Sequence, residues 1–129
     1  MSTTNNDYQR IMAVAKKLSL QDETLIRNAA LLAEKIHKNE LRKNGTPFIT
    51  HPWATARILA DMGLDAELIA AALLHDALEH GGKIQDLKDC VGDSVAELVA
   101  SVSINKTPQH SGGYQFTFHD SLSELIKED

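Results

Sequence analysis

The chain of 129 residues is poor in cysteine, in long apolar runs and in net positive charge. Cys90 is its single cysteine, so no disulfide can form within the chain, and we expect a reducing, cytoplasmic setting. The longest strongly apolar run, residues 68–74, is far shorter than the ~20 residues of a membrane-spanning helix, so no membrane partner is expected. A net charge of -5 argues against a broad nucleic-acid surface, although a local basic patch can still bind a phosphate-rich small molecule.

What the chain does contain is helical periodicity over most of its length. Apolar residues recur at steps of three and four, which predicts an all-α fold in a single domain. The predicted helices span residues 8–18, 22–39, 52–62, 65–80, 84–90, 94–102 and 121–127. Asp22 and either Thr50 or His51 are the predicted N-caps of the second and third helices, and Gly81-Gly82 ends the fourth. Residues 103–119 fit either a short extended segment or a set of buried anchors.

The adjacent residues His75 and Asp76 stand out because they follow an apolar helical run. Burying an imidazole and a carboxylate without partners costs free energy, and a divalent cation satisfies both groups. Residues four apart share a helix face, so His75 pairs with Glu79, Asp76 pairs with His80, and all four are expected to border one pocket. The simpler alternative is a core histidine bonded to a backbone carbonyl, next to a solvated helix end.

A metal held by nitrogen and oxygen ligands, without thiolate, is more typical of Mn²⁺ or iron than of structural zinc. His51 is the natural third ligand, because it begins a helix beside the predicted loop at residues 41–50. Side chains at such positions can turn into a cavity without disturbing a hydrogen-bond ladder. The sequence therefore predicts a metal site built from His51, His75 and Asp76.

Three segments resemble the hydrolase domain of the RelA/SpoT alarmone enzymes and their small stand-alone relatives. They read RKNGTPFITHP at 42–52, ILADMGLD at 58–65 and IAAALLHD at 69–76, and VGDSVA at 91–96 resembles a later turn of that family. These enzymes belong to the HD phosphohydrolase superfamily. The resemblance implies an HD-domain helical bundle of about six or seven helices, a Mn²⁺-type ion, and hydrolysis of the 3′-pyrophosphate from guanosine tetra- or pentaphosphate.

The resemblance also implies roles for individual residues. The metal histidine of the first motif falls on His51, and the family's His-Asp pair falls on His75 and Asp76. Glu79 matches the first member of a catalytic Glu-Asp pair that orients the attacking water or moves its proton. His80 stands where the second acid belongs, and an imidazole can donate hydrogen bonds or carry positive charge, so the task of that acid is changed or lost.

The basic element that contacts the nucleotide falls on Arg42 and Lys43, with Asn44 where the family usually has serine. Guanidinium and ammonium groups suit a substrate with several phosphates, because arginine can grip phosphate with two hydrogen bonds. Without the resemblance, these charges would be read as a solvated loop.

The family's fourth metal ligand, an aspartate, has its only counterpart here in Asp120, whose alternative role is to cap the last helix. Glu124 replaces an asparagine associated with the nucleotide, and the family continues with at least one more helix beyond this point. Residues 1–129 are therefore interpreted as one HD-type domain that lacks C-terminal helices of the family, either as a shortened relative or as a fragment.

Three functions follow as alternatives. The first is a metal-dependent hydrolase of guanosine nucleotides that carry a 3′-pyrophosphate. The second, favoured by His80 and Glu124, is an HD phosphohydrolase for another nucleotide. The third is a degenerate domain that binds a nucleotide or a protein without turnover, which the shortened end favours. Nothing in the sequence fixes the oligomeric state.

Overall fold

A computed structural model describes residues 6–105, and the side chains within that range up to residue 101. The described chain is all-α, as predicted, with one short 3-10 turn between the fourth and fifth helices. The predicted helix at 121–127 lies outside the described residues. The helices are α1 (Asn6–Ala15), α2 (Leu20–Ile36), α3 (Thr50–Asp61), α4 (Ala66–Leu73), α5 (Ile84–Val91) and α6 (Asp93–Asn105), and the 3-10 turn is Leu78–His80.

Helix α4 forms the centre of the bundle. Every residue from Ile69 to Leu74 is fully buried, so the helix end is apolar on all sides rather than along one stripe. It packs against α2, α3 and α6, while α1 packs against α2 and α3 and α5 packs against α2 and α6. A side chain placed just after α4 therefore enters the middle of the protein.

Helix α4 ends at Leu73, although the sequence pattern predicted one helix as far as His80. The cause is local. The ring Nδ1 of His75 donates to the carbonyl of Ala72 at 2.6 Å, which is the acceptor that a continuing helix would offer to the backbone N-H of Asp76. Residues 74–77 form a turn instead, so the His75-Asp76 pair lies beyond the helix rather than on it.

Two predicted N-caps are also wrong. Ser19 caps α2, and its Oγ accepts a hydrogen bond from the backbone N-H of Asp22 at 3.1 Å, so Asp22 lies in the first turn. Helix α3 has Ile49 at its cap position, and the hydroxyl of Thr50 donates to the carbonyl of Pro47 at 2.7 Å. The backbone at Ile49 is already helical, so the turn that precedes α3 replaces a side-chain cap.

None of the helices within residues 6–105 is both long enough and apolar enough to cross a lipid bilayer.

A cluster of charges joins α1 to the end of α3. Asp61 accepts hydrogen bonds from Arg10 Nε at 2.6 Å and from Arg57 Nη1 at 2.7 Å, and Arg57 also reaches Asp7 at 2.7 Å. The hydrogen bond from Arg10, and after it that from Arg57, holds the pKa of Asp61 below its usual value, while partial burial opposes the shift. The carboxylate thus ties two helices together in its ionised form.

We expect Asp61→Asn to lower the free energy of unfolding at pH 7 by about 0.2–1 kcal/mol, the range measured for exposed ion pairs. Because the pKa is lowered on folding, this stabilisation is present above the ordinary aspartate pKa and is lost as pH falls through the folded value. Urea unfolding at pH 7 and in acid measures the difference. Glu34→Gln, an exposed carboxylate of α2, is the control. If the difference in unfolding free energy between Asp61→Asn and wild type stayed constant into acid, the ion-pair account would be contradicted.

Candidate functional site

Three potential metal ligands from two parts of the chain meet at the end of α4. His51, in the first turn of α3, and His75 and Asp76, in the turn after α4, offer ligand atoms that all lie within 4.8 Å of one another. The carboxylate Oδ2 of Asp76 is 3.3 Å from His51 Nε2 and 3.2 Å from His75 Nε2. The structure therefore brings together the three residues that the sequence placed at a metal site.

The protonation of His75 makes this geometry informative. Its Nδ1 must carry the proton, since it faces the carbonyl oxygen of Ala72. In the neutral ring, Nε2 is then an acceptor, and it faces a second acceptor, the Asp76 oxygen, at 3.2 Å. Two acceptors at this distance need a proton or a cation between them. A divalent ion fits this donor set, because the backbone carbonyl already orients the ring as an outer partner orients a metal-bound histidine.

Access to these three residues comes from one side. The side chain of His75 is 1% exposed, that of Asp76 11% and that of His51 29%. A ligand can therefore approach from the side of His51, while His75 and the apolar end of α4 close the opposite side.

A cavity of about 670 Å³ shares one neighbour with this centre, because Phe48 lines the cavity and its ring lies against that of His51. Its lining includes the three residues predicted to bind substrate, Arg42, Lys43 and Asn44, and the predicted catalytic His80. The other residues of the lining are Glu40, Leu41 and Phe48. The loop that carries the basic pair is held by Asn44, whose Oδ1 accepts from the backbone N-H and the hydroxyl of Thr46 at 3.1 and 2.7 Å. Asn44 thus shapes the loop, and Arg42 and Lys43 bring positive charge to the cavity.

Phe48 connects the cavity with the cluster of potential ligands. Its ring centroid lies 4.5 Å from that of His80, which lines the cavity, and 5.7 Å from that of His51. Phe48 is therefore a shared neighbour of the cavity wall and of His51.

Glu79 and His80 do not lie as predicted. Because α4 ends early, the four-residue spacing that would have placed them on one helix edge with His75 and Asp76 is lost, and of these four residues only His80 lines the cavity described above. Glu79 is exposed in the 3-10 turn. His80 turns instead to Glu40, with 3.0 Å between its Nδ1 and the carboxylate Oε1. Asp120, the predicted fourth ligand, lies outside the described residues.

A second cluster, which sequence reasoning missed, consists of His37, Glu40 and His80. His37 Nδ1 lies 3.0 Å from the same Glu40 oxygen that His80 contacts. The hydrogen bond from His37 is the main cause that holds the pKa of Glu40 below its usual value; the electrostatic attraction of His80 adds to it and desolvation opposes it. The sequence signal that could have indicated a buried His37 was its position. It follows the buried Ala33 by four residues and so continues the apolar face of α2.

Comparison with known proteins agrees with this geometry. The HD domain family matches residues 29–115. The bifunctional (p)ppGpp synthase/hydrolase SpoT of Escherichia coli is 49% identical over 79 residues, which cover 60% of this chain and 11% of SpoT. A probable GTP pyrophosphokinase of Mycobacterium leprae is 41% identical over 104 residues, which cover 79% of this chain and 13% of that protein. The chain therefore spans about a tenth of the length of these relatives.

The fold is an all-α bundle in which histidine and aspartate side chains that could hold a metal ion converge at the end of the central helix, and the chain belongs to the HD domain family. Within that family it is an HD domain of the RelA/SpoT type, which confirms the resemblance seen in the sequence motifs.

We expect Mn²⁺ to raise the melting temperature of the protein, since an ion that binds only the native state stabilises it by about 2.7 kcal/mol at a hundred times its dissociation constant. Asp76→Asn, which removes the charge at the centre of the three ligands, should abolish this rise. Scanning calorimetry after chelation and reloading measures it. The control is Asp89→Asn, an exposed carboxylate on α5. An equal rise in wild type and Asp76→Asn would show that the ion binds elsewhere.

Proposed function

We propose that this domain is a metal-dependent phosphohydrolase that removes pyrophosphate from the 3′ position of a guanosine nucleotide. The observation that carries the proposal is the convergence of His51, His75 and Asp76 beside a cavity with two cationic side chains. The similarity to proteins named (p)ppGpp hydrolases supports the choice of nucleotide. Manganese as the ion and a cytoplasmic location stay predictions.

In this proposal the ion is held by His51, His75 and Asp76, with Asp120 as the predicted fourth ligand. When bound, a divalent cation supplies Lewis acidity toward phosphate oxygens and makes an attacking water more acidic. The Ala72 carbonyl keeps the His75 ring in the tautomer that leaves Nε2 for coordination. The burial of His75 keeps bulk water from the rear of the centre.

The basic loop binds the substrate in this proposal. Arg42 and Lys43 neutralise the phosphate groups, and Asn44 keeps the loop in shape through its two bonds to Thr46. Arginine can present two parallel hydrogen bonds to a phosphate, so its contribution is directional as well as electrostatic. Phe48 offers an apolar face between the phosphates and the metal ligands.

Proton transfer is assigned to Glu79 and His80. Hydrolysis adds the water oxygen to the phosphorus of the 3′ ester, breaks the bond from that phosphorus to the 3′ oxygen, and leaves a 3′ hydroxyl that must receive a proton. The carboxylate of Glu79 is assigned to accept the water proton, and the imidazole of His80, which lines the cavity, is assigned to carry a proton to the leaving oxygen. Both residues lie in the 3-10 turn after the metal-binding pair.

A second candidate is hydrolysis of another phosphorylated nucleotide by the same metal centre. The contact that favours it is His80 with Glu40, because it places an imidazole in the cavity wall where the similar enzymes are expected to have a carboxylate. A different base or a different phosphate position would then suit the cavity.

The direct test is release of pyrophosphate from guanosine tetraphosphate by protein loaded with Mn²⁺, followed by anion-exchange chromatography. We expect turnover in wild type and a loss of at least 10²-fold in Asp76→Asn, in line with the size of effect of removing a single catalytic group. Turnover of a 5′-triphosphate with none of the tetraphosphate would support the second candidate instead. Absence of turnover on every nucleotide, with an ion bound, would reject both.

We expect Arg42→Gln to raise KM about tenfold with little change in kcat, since a lost charged hydrogen bond to phosphate costs about 1.5 kcal/mol. Steady-state kinetics on the same substrate measures it. The matched control is Lys38→Gln, an exposed cation that does not line the cavity. Equal KM values in both variants would remove Arg42 from the substrate site.

A further inference from the structure

The two histidines of the second cluster approach a single carboxylate oxygen. We propose that Glu40 is a positioning residue that fixes His80 with its proton on Nδ1 and presents His80 Nε2 to the cavity lined by Arg42 and Lys43. Its consequence for turnover rests on the function proposed above, whereas the anchoring itself does not.

The contacts determine where the protons lie. Glu40 Oε1 is 3.0 Å from the Nδ1 of His37 and 3.0 Å from the Nδ1 of His80. An ionised carboxylate only accepts hydrogen bonds, so both Nδ1 atoms must be donors. When the rings are neutral, each Nε2 therefore holds a lone pair and can accept a proton.

His37 supports this assignment. Its side chain is fully buried, and its Nε2 has no hydrogen-bond partner among the described residues. A buried N-H without a partner is rarer than a buried acceptor without one, so the proton belongs on the Nδ1 that faces Glu40. His37 is thus a buried donor whose Nδ1-H faces the Glu40 carboxylate.

Backbone hydrogen bonds and ring contacts fix the surroundings of Glu40. The backbone N-H of Glu40 donates to the carbonyl of His37 at 3.0 Å, and the carbonyl of Glu40 accepts from the N-H of Phe48 at 2.8 Å. The ring of Phe48 packs on both imidazoles, with centroids 4.7 Å from His37 and 4.5 Å from His80. The backbone at Glu40 and both imidazole rings are thus held in place, which favours one orientation of the His80 ring.

The part of the His80 ring that does not contact Glu40 faces the cavity. Its side chain is 30% exposed and forms part of the cavity wall. The two ring nitrogens lie on well-separated edges of an imidazole, so a ring that gives Nδ1 to Glu40 turns Nε2 away from it. A group that can accept and return a proton then stands among the side chains proposed to bind the phosphates. The loss of a second carboxylate at position 80 is in this way offset by a carboxylate that acts through the imidazole.

The competing interpretation is a second cation site. The same three residues offer two nitrogens and one oxygen within 4.8 Å of one another. A cation on the two Nδ1 atoms would displace their protons and would leave the buried His37 Nε2 as an N-H donor without a recorded partner. This arrangement is less favourable than two hydrogen bonds to Glu40.

The tautomer can be observed directly. Long-range ¹H-¹⁵N correlation spectra of the metal-free full chain at pH 8, where imidazoles are mostly neutral, separate the two tautomers, and His37→Asn and His80→Asn assign the signals. We expect His80 to carry its proton on Nδ1 in wild type. In Glu40→Ala it should revert to the Nε2 tautomer that an unrestrained imidazole prefers. Glu40→Gln keeps an acceptor oxygen and should keep the Nδ1 tautomer, which separates anchoring from a general loss of structure.

Kinetics then tests the consequence. Glu40→Ala should lower kcat on guanosine tetraphosphate about 10- to 100-fold with KM within about threefold, because an outer partner acts through the group it orients. Glu40→Gln should lower kcat by a smaller factor. In a His80→Asn background, Glu40→Ala should cause no further loss, since residues that act as a unit are not additive.

Two spectroscopic results would overturn the proposal: an Nε2 tautomer for His80 in wild type, or an Nδ1 tautomer that survives Glu40→Ala. A third is a change in the His37 and His80 signals when Zn²⁺ or Mn²⁺ is added to Asp76→Asn, which would make the cluster a cation site. If wild type hydrolyses no nucleotide, the proposed function fails, while the tautomer result still decides whether Glu40 anchors His80.

Discussion

The structure depends on one constraint, which is the burial of an imidazole and a carboxylate at the end of an apolar central helix. His75 and Asp76 follow α4, whose last turns are fully buried, so neither side chain can reach bulk water freely. The His75 ring donates to the Ala72 carbonyl, which also accepts from the backbone N-H of His75 at 3.4 Å, and this carbonyl is the acceptor that the next helical bond of α4 would need. The bond from the ring to Ala72 turns His75 Nε2 toward Asp76 and His51. Helix termination and the assembly of potential ligands therefore have a common cause.

The loop between α2 and α3 explains how one domain holds both a candidate ion site and a candidate phosphate site. The two ends of its second half are drawn together by the short bridge of Leu41 with Pro47 and by the bond from the N-H of Phe48 to the carbonyl of Glu40. This folding places Arg42 and Lys43 at the cavity and His51 beside His75 and Asp76 within one short stretch of chain. Phe48, between them, contacts rings from both clusters.

The sequence was sufficient for the helices and for the three residues that converge, because both follow from strong signals. The apolar periodicity of α2 and α4 predicted a helical bundle, and the His75-Asp76 pair after an apolar run indicated a polar centre in the core. The end of α4 was beyond prediction from pattern alone. The apolar spacing continues through Ala77 and Leu78, and only the geometry of the His75 ring shows that its bond to Ala72 replaces a helix bond.

The second cluster escaped sequence reasoning for a different physical reason. His37, Glu40 and His80 come from two turns that are far apart along the chain, and only the tertiary fold brings the turn after α2 next to the 3-10 turn. Each residue read alone fits an ordinary helix end. The sequence showed that His80 replaces the family's second acid, but it did not show that Glu40 is its partner. It therefore indicated a lost acid, whereas the structure shows an imidazole paired with a carboxylate.

The central claim is that His51, His75 and Asp76 bind a divalent cation. A crystal structure of protein grown with Mn²⁺, with anomalous diffraction collected at a wavelength where manganese scatters strongly, tests it most directly. The account predicts one anomalous peak about 2.2 Å from His51 Nε2, His75 Nε2 and Asp76 Oδ2. A peak at His37 and His80 instead, or a protein that crystallises in Mn²⁺ with no peak near Asp76, would contradict it.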